Sequence, residues 1–183
     1  MIITDLTQDD THFDSFLKLI KESYDSNHKL KDNYKYILET YDDYEAFILL
    51  IDDQNPVAFC GLQKFYNNSL RTFSRYYLSQ KYRFYNGNRF LESSQYILPW
   101  SIDFAKKKNY SYLFASFQSN YKRSRVMNIF LDNANKYTSE NWERLESLQN
   151  TCKNNLDKPE CWQHVIRCTL KENEKWNLIS QKK

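Results

Sequence analysis

Glycine and proline are scarce in this sequence. The 183-residue chain contains two glycines and three prolines, where average usage gives about 13 and about 9. Motifs that need several glycines are therefore excluded, among them the GxGxxG dinucleotide fingerprint and the GxxxxGK[ST] phosphate loop. Collagen-like segments and Gly/Ser-rich linkers are excluded for the same reason.

The sequence also shows no targeting signal and no large net charge. The start of the chain has no basic segment followed by an apolar one, so we predict no secretory signal. The longest apolar run, residues 46–51, is too short to span a bilayer. We therefore expect a cytoplasmic protein with reduced thiols and no membrane contact. The net charge of +3 argues against a strongly basic nucleic-acid binder. Basic and aromatic residues do alternate over residues 81–85, as a base-stacking surface requires, which keeps nucleic acid as a minor alternative.

The four cysteines contain no CxxC pair. Cys152, Cys161, Cys168 and His164 could bind zinc, but their spacing matches no standard zinc motif. On a strand, Cys161 and His164 face opposite sides. We therefore predict no metal site.

Hydrophobic periodicity predicts the order β-α-α-β-β-β-α-β-α-(β)-β. The predicted helices cover residues 12–24, 30–40, 92–108 and 120–131. The predicted strands cover residues 1–6, 44–52, 57–66, 70–79, 110–117 and 161–170, with a weak segment at 142–148. Gly61, inside the middle strand of an antiparallel meander, indicates a bulge or a close contact. This pattern predicts an α/β (α+β) fold. It has a single mixed, mostly antiparallel sheet, a central βαβ crossover and flanking helices. No linker divides it, so we predict one domain over residues 1–170 and a polar C-terminal tail over residues 171–183.

Two basic loops follow the two strands that are predicted to be parallel. The first holds Lys81, Arg83 and Arg89, and the second holds Lys122, Arg123 and Arg125. Each loop leads into a helix N-terminus, where free N–H groups and the helix dipole favour an anion. Ligands bind outside the carboxyl ends of parallel strands, so each loop could bind one anionic group. The alternative is that both are solvated surface charge.

The order of elements resembles the GNAT superfamily of acyl-coenzyme-A-dependent N-acyltransferases. The resemblance covers nearly the whole chain as topology. As sequence it rests on Tyr77-Leu78-Ser79-Gln80-Lys81-Tyr82-Arg83, on Phe84-Tyr85-Asn86-Gly87-Asn88 with the helix that follows, and on the next strand with Asn120. The family's pyrophosphate turn, [QR]-x-x-G-x-[GA], is altered, because Gly87 stands one place late from Arg83. Seven residues after Asn120 the chain has Met127, where the family often has a general-acid tyrosine.

The resemblance implies acetyl-CoA, or another acyl-CoA, as cofactor and an amine of a small molecule or peptide as acceptor. The residues that it implies for cofactor binding are Tyr77, Leu78, Ser79, Arg83, Asn86, Gly87, Asn88, Asn120 and Arg123. The alternative is a non-catalytic binding or interaction protein of the same fold with a degenerate cofactor site. The discriminating feature is whether the turn after Arg83 opens into a cleft or is blocked.

Few side chains suit acid–base chemistry. The strands over residues 57–66 and 70–79 contain no Asp, Glu or His, which leaves Glu45 and His164 as weak candidates. Their alternative roles are structural: a solvent-facing carboxylate and a histidine on a strand. Strand alternation puts Arg71 and Arg75 on one face with Phe73 and Tyr77. The two arginines could line an acceptor groove, where they would suit an anionic acceptor. The aromatic content, including four tryptophans, also allows a homo-oligomer if some are exposed.

Overall fold

The structure is a computed structural model that describes residues 1–25, 44–65, 68–83, 89–118, 121–145, 148–149 and 162–171. Its strands are β1 (Ile2–Asp5), β2 (Tyr44–Asp52), β3 (Asn55–Lys64), β4 (Ser69–Leu78), β5 (Tyr112–Gln118), β6 (Trp142–Arg144), β7 (Leu148–Gln149) and β8 (Trp162–Thr169). The described helices are α1 (Phe13–Asp25), α2 (Gln80–Arg83), α3 (Arg89–Lys107) and α4 (Tyr121–Tyr137).

All eight strands of the described residues belong to one sheet. Its order is β1-β2-β3-β4-β5-β8-β6, and β7 also pairs with β8. Every pairing is antiparallel except that of β4 with β5, which is parallel and is connected through α2 and α3. The mixed, mostly antiparallel sheet with a central βαβ crossover is therefore confirmed.

Helices cover both faces of the sheet. On the α3/α4 face, Ala46 and Ile48 of β2 join a core with Leu98 of α3 and Phe130 of α4. The intervening residues of β2 point to the other face, where Phe47 and Leu49 pack with Phe16 and Ile20 of α1. This alternation explains why β2 is apolar throughout, because both of its faces are buried.

Several predicted boundaries were wrong. Residues 80–83, expected in a loop, form the short helix α2, and the next helix begins at Arg89 rather than at residue 92. That helix continues through Pro99. The turn before β3 needs only Asp53 and Gln54, which adopt φ of 45° and 64°, so β3 begins two residues early. The predicted helix over residues 30–40 lies outside the described residues.

Among the described residues, no helix combines the length and apolarity that crossing a bilayer requires.

Candidate functional site

A gap opens in the sheet between β4 and β5. The two strands pair only at Ser69–Tyr112, Leu70–Leu113 and Arg71–Phe114. Beyond these pairs β4 stays bonded to β3 as far as Leu78, and β5 stays bonded to β8 as far as Gln118. Within the described part of the chain, β4 and β5 do not pair again. The strands therefore separate toward their carboxyl ends, which is where open sheets bind ligands.

Two irregularities in β4 accompany this separation. The register between β3 and β4 shifts on each side of Gly61, so an irregularity does occur at Gly61, but the extra residues are in β4. In each shift β4 contributes one residue more than β3, and such bulges bend a strand and increase its twist. Phe73 lies at one of them with φ of 55°, a conformation that a bulky side chain rarely adopts.

Cys60 anchors the irregular part of β4. The backbone N–H of Phe73 donates to Cys60 Sγ at 3.2 Å instead of to a strand carbonyl. Burial raises the pKa of the Cys60 thiol to about 12, so the thiol is neutral at physiological pH. Because the thiolate is the nucleophilic form of cysteine, Cys60 is a structural residue.

Three of the residues that the resemblance implies for cofactor binding, Tyr77, Leu78 and Ser79, lie at the end of β4 or directly after it. Ser79 N–H donates to Val57 O of β3 at 2.8 Å. Backbone groups alternate between the two edges of a strand, so the backbone of Leu78 faces the β5 side. The side chain of Leu78 packs with Tyr82 in a small buried cluster, while Tyr77 stacks on Phe59 toward α1, with 5.6 Å between ring centroids.

Glu22 of α1 is a residue of this region that the sequence did not reveal. Its carboxylate accepts hydrogen bonds from Gln80 N–H at 2.5 Å, Ser79 Oγ at 3.1 Å and Tyr77 Oη at 3.3 Å. It therefore fixes α1 to the end of β4 and to the first turn of α2. The hydrogen-bond partners of Glu22 lie 55 to 58 residues away in the sequence. No local sequence pattern therefore indicates its role, and only knowledge of long-range contacts could have done so.

Glu22→Ala is expected to lower the free energy of unfolding by about 1–3 kcal/mol, since it leaves half-buried donors without their acceptor. Urea denaturation monitored by circular dichroism measures the change. Glu22→Gln is the matched control, because its amide oxygen can still accept from Gln80 N–H, and it should lose less. Equal stability of the alanine variant and the wild type would contradict this role.

Arg71 lies at the closed end of the gap. Its Nη2 donates to Gln63 Oε1, and its guanidinium carbon is 5.6 Å from the centroid of the Phe65 ring. Its register partner on β5 is Phe114, which belongs to a buried cluster on the sheet face opposite α3 and α4. Arg71 is therefore on the α1 side of the sheet, at the last pair before the strands part.

Glu45 lies near Arg71, at the end of the strands away from the end of β4. It forms an ion pair with Lys64 at 2.7 Å, and Lys64 pairs with Leu70 near the start of β4. Burial and the Glu45 carboxylate raise the pKa of Tyr110, which lies just before β5. The structure therefore does not bring Glu45 together with Tyr77, Leu78 and Ser79.

For some of the remaining candidate residues the structure describes only the position of the backbone, and the others lie outside the described residues. Arg83 ends α2 directly after β4, and Arg123 is in the first turn of α4 directly after β5, so both lie at the open end of the gap. Arg75 belongs to β4, and His164 of β8 pairs with Phe117. The side chains of these four residues are not described. Asn86, Gly87, Asn88 and Asn120 lie outside the described residues, as do Cys152 and Cys161.

No protein-family model and no curated protein matches the sequence. Solved structures do match. An acetyltransferase of the GNAT family from Staphylococcus aureus Mu50 is 15% identical with a TM-score of 0.55, over 93% of this chain and 100% of that one. A ribosomal-protein-alanine N-acetyltransferase from Brucella melitensis is 10% identical with a TM-score of 0.60, over 93% and 100%. An aminoglycoside 6'-N-acetyltransferase complexed with coenzyme A is 10% identical with a TM-score of 0.58, over 96% and 100%.

These matches extend over nearly the full length of both chains in every pair. The expected GNAT fold is therefore confirmed: the chain has the fold of the GNAT acetyltransferases. Identities of 10–15% leave the chemistry to be argued from this chain's own residues.

Proposed function

We propose that the chain is an acyl-CoA-dependent N-acyltransferase that transfers an acetyl group from acetyl-CoA to an amine. The observation that carries the proposal is the gap between β4 and β5, which opens toward two basic chain segments. A structural neighbour, the aminoglycoside 6'-N-acetyltransferase, is complexed with coenzyme A. This supports acetyl-CoA as the cofactor of this chain, and its placement in the gap is our proposal.

The proposed cofactor site follows the line of the gap. Coenzyme A carries a pyrophosphate and a 3′-phosphate, and arginine binds phosphate through a bidentate fork. Arg83, after β4, would take the pyrophosphate together with the turn formed by Asn86, Gly87 and Asn88. Arg123, after β5, would take the 3′-phosphate near Asn120. The backbone of Tyr77, Leu78 and Ser79 would line the acyl and pantetheine portion.

The proposed acceptor site is on the α1 side of the gap. When bound, acetyl-CoA supplies a thioester carbonyl that a neutral amine can attack. Arg71, with Gln63 beside it, and Arg75 of the same strand would attract the anionic group of an acceptor such as an acidic amino acid or a phosphorylated amine. Structural neighbours include aminoglycoside and ribosomal-protein-alanine N-acetyltransferases, which supports both small molecules and peptides as acceptor classes.

A second candidate function is binding without catalysis. Met127 stands where the family resemblance places a general-acid tyrosine, and it is 1% exposed within the core of the α3/α4 face. A thioether has no proton to donate. This observation favours a binding protein unless another group or solvent protonates the departing thiolate.

Release of coenzyme A tests the proposal. The purified chain is incubated with acetyl-CoA and with an aminoglycoside, an acidic amino acid, a phosphorylated amine or an alanine-initiated peptide. Free thiol is followed over time, and mass spectrometry checks each amine for an added acetyl group. We expect at least one amine to accelerate thiol release and to become acetylated. Absence of acetyl-CoA binding, or binding without amine-dependent release, would contradict the proposed transferase and favour the non-catalytic alternative.

A further inference from the structure

Two consecutive residues of β4, Thr72 and Phe73, place their side chains on the α3/α4 face of the sheet. Phe73 follows Thr72 on the same face of the strand, because the bulge interrupts the alternation of side chains. The prediction that Phe73 shares a face with Arg71 was therefore wrong. Thr72 Oγ1 lies 3.1 Å from Ser101 Oγ of α3. The Phe73 ring instead contacts Phe130 of α4 edge to face, with 5.1 Å between centroids. Two consecutive side chains of one strand thus reach two different helices.

The Phe73 ring lies across the closed end of the gap. Phe73 is two residues beyond Arg71, the last residue of β4 that pairs with β5. Its contact partner Phe130 belongs to α4, which packs against β5. The ring therefore extends from β4 to the β5 side, over the line along which the strands separate.

The position of the ring is well supported by its neighbours. The backbone N–H of Phe73 is held by Cys60 Sγ. On the open side, Tyr76 packs on the Phe73 ring with 5.0 Å between centroids, and its hydroxyl lies 2.6 Å from Ser93 Oγ of α3. The closed end of the gap is consequently bounded by two aromatic residues, whose side chains contact α3 and α4 and one of which is held through its backbone by β3.

We propose that Phe73 determines the length of the acyl group and restricts it to acetyl or a similarly short chain. This inference rests on the proposed function. If the phosphates bind beyond Ser79, the thioester end of the bound molecule lies farther back along β4, toward Phe73. A longer acyl chain would extend into the Phe73 ring, which its neighbours hold in place.

Acyl-chain selectivity tests the inference. The affinities of acetyl-CoA and hexanoyl-CoA are measured by isothermal titration calorimetry for the wild type, Phe73→Ala and Phe73→Leu. Phe104→Ala is the matched control, because Phe104 belongs to the same core but stacks on Trp100 of α3, with 5.2 Å between centroids. The leucine variant retains most of the apolar volume and serves if the alanine variant does not fold.

We expect the wild type and Phe104→Ala to bind acetyl-CoA at least tenfold more tightly than hexanoyl-CoA. Phe73→Ala should reduce this ratio at least tenfold, and Phe73→Leu should reduce it by a smaller factor. A wild type that binds both thioesters equally, or Phe73 variants with an unchanged ratio, would overturn the inference while leaving the proposed function in place. A wild type that binds neither thioester would overturn the proposed function itself.

Discussion

We expect Arg83→Ala to weaken binding of acetyl-CoA about 10- to 100-fold, because a charge-assisted hydrogen bond contributes about 1.5–3 kcal/mol. The affinity for 3′-dephospho-coenzyme A should fall by the same factor, since both molecules contain the pyrophosphate that Arg83 is proposed to bind. Isothermal titration calorimetry with each ligand measures the two factors.

The arrangement predicts a different pattern for Arg123→Ala. This variant should weaken binding of acetyl-CoA but leave 3′-dephospho-coenzyme A unaffected, because only the 3′-phosphate is assigned to the segment after β5. Arg144→Ala, a change to an exposed arginine of β6, is the matched control and should change neither affinity. Equal losses for Arg83→Ala and Arg144→Ala would contradict the assignment of the pyrophosphate.

Phe47→Ala is expected to lower the free energy of unfolding by about 3–5 kcal/mol, the usual cost of removing a buried phenyl ring. Phe47 is fully buried at the centre of the cluster beneath α1. Its ring centroid is 4.8 Å from that of Phe16 and 5.7 Å from that of Phe59. The centroid of the same ring is 5.1 Å from that of the Tyr44 ring. The loss therefore leaves a cavity between α1 and the sheet.

Urea denaturation of the same variant measures this loss. Tyr96→Ala is the control, because Tyr96 is 38% exposed on α3 and surface substitutions usually change stability by less than about 0.5 kcal/mol. If Phe47→Ala loses no more than Tyr96→Ala, the packing of α1 on this face of the sheet is not as described.

The strands and the order of elements could be predicted from the sequence because their signals are local. The apolar run of β2 and the apolar stripe of α1 each fall within a window of about a dozen residues. Gly61 indicated an irregularity for a similar reason, since glycine inside a strand has a restricted set of explanations. The resemblance to GNAT enzymes then followed from the order of these elements.

Features that depend on pairing between distant segments could not be predicted. Glu45 looked equivalent to any carboxylate at a strand start, and only the sheet order shows that it lies far from the end of β4. Glu22 acts on residues more than fifty positions away. Helix α2 has four residues, too few for a periodic pattern. Phe73 gave no signal because aromatic residues seldom adopt positive φ.

The features that the sequence did not predict are concentrated in one part of the molecule. Glu22, α2 and Phe73 all border the gap between β4 and β5, whereas the apolar run of β2 and the apolar stripe of α1 belong to the packed core. Strained backbone and local departures from propensity concentrate at functional sites, because the surrounding structure maintains them for a purpose other than stability. The gap is therefore the part of the molecule to which experiments should be directed first.

The thermal stability of the wild-type chain with acetyl-CoA tests the central claim most directly. A ligand present at about 100 times its dissociation constant stabilises a fold by about 2.7 kcal/mol. We predict a clear rise in melting temperature with acetyl-CoA and a smaller rise with 3′-dephospho-coenzyme A at the same concentration. No shift with acetyl-CoA, coenzyme A or the dephospho form at millimolar concentration would contradict an acyl-CoA site in the gap.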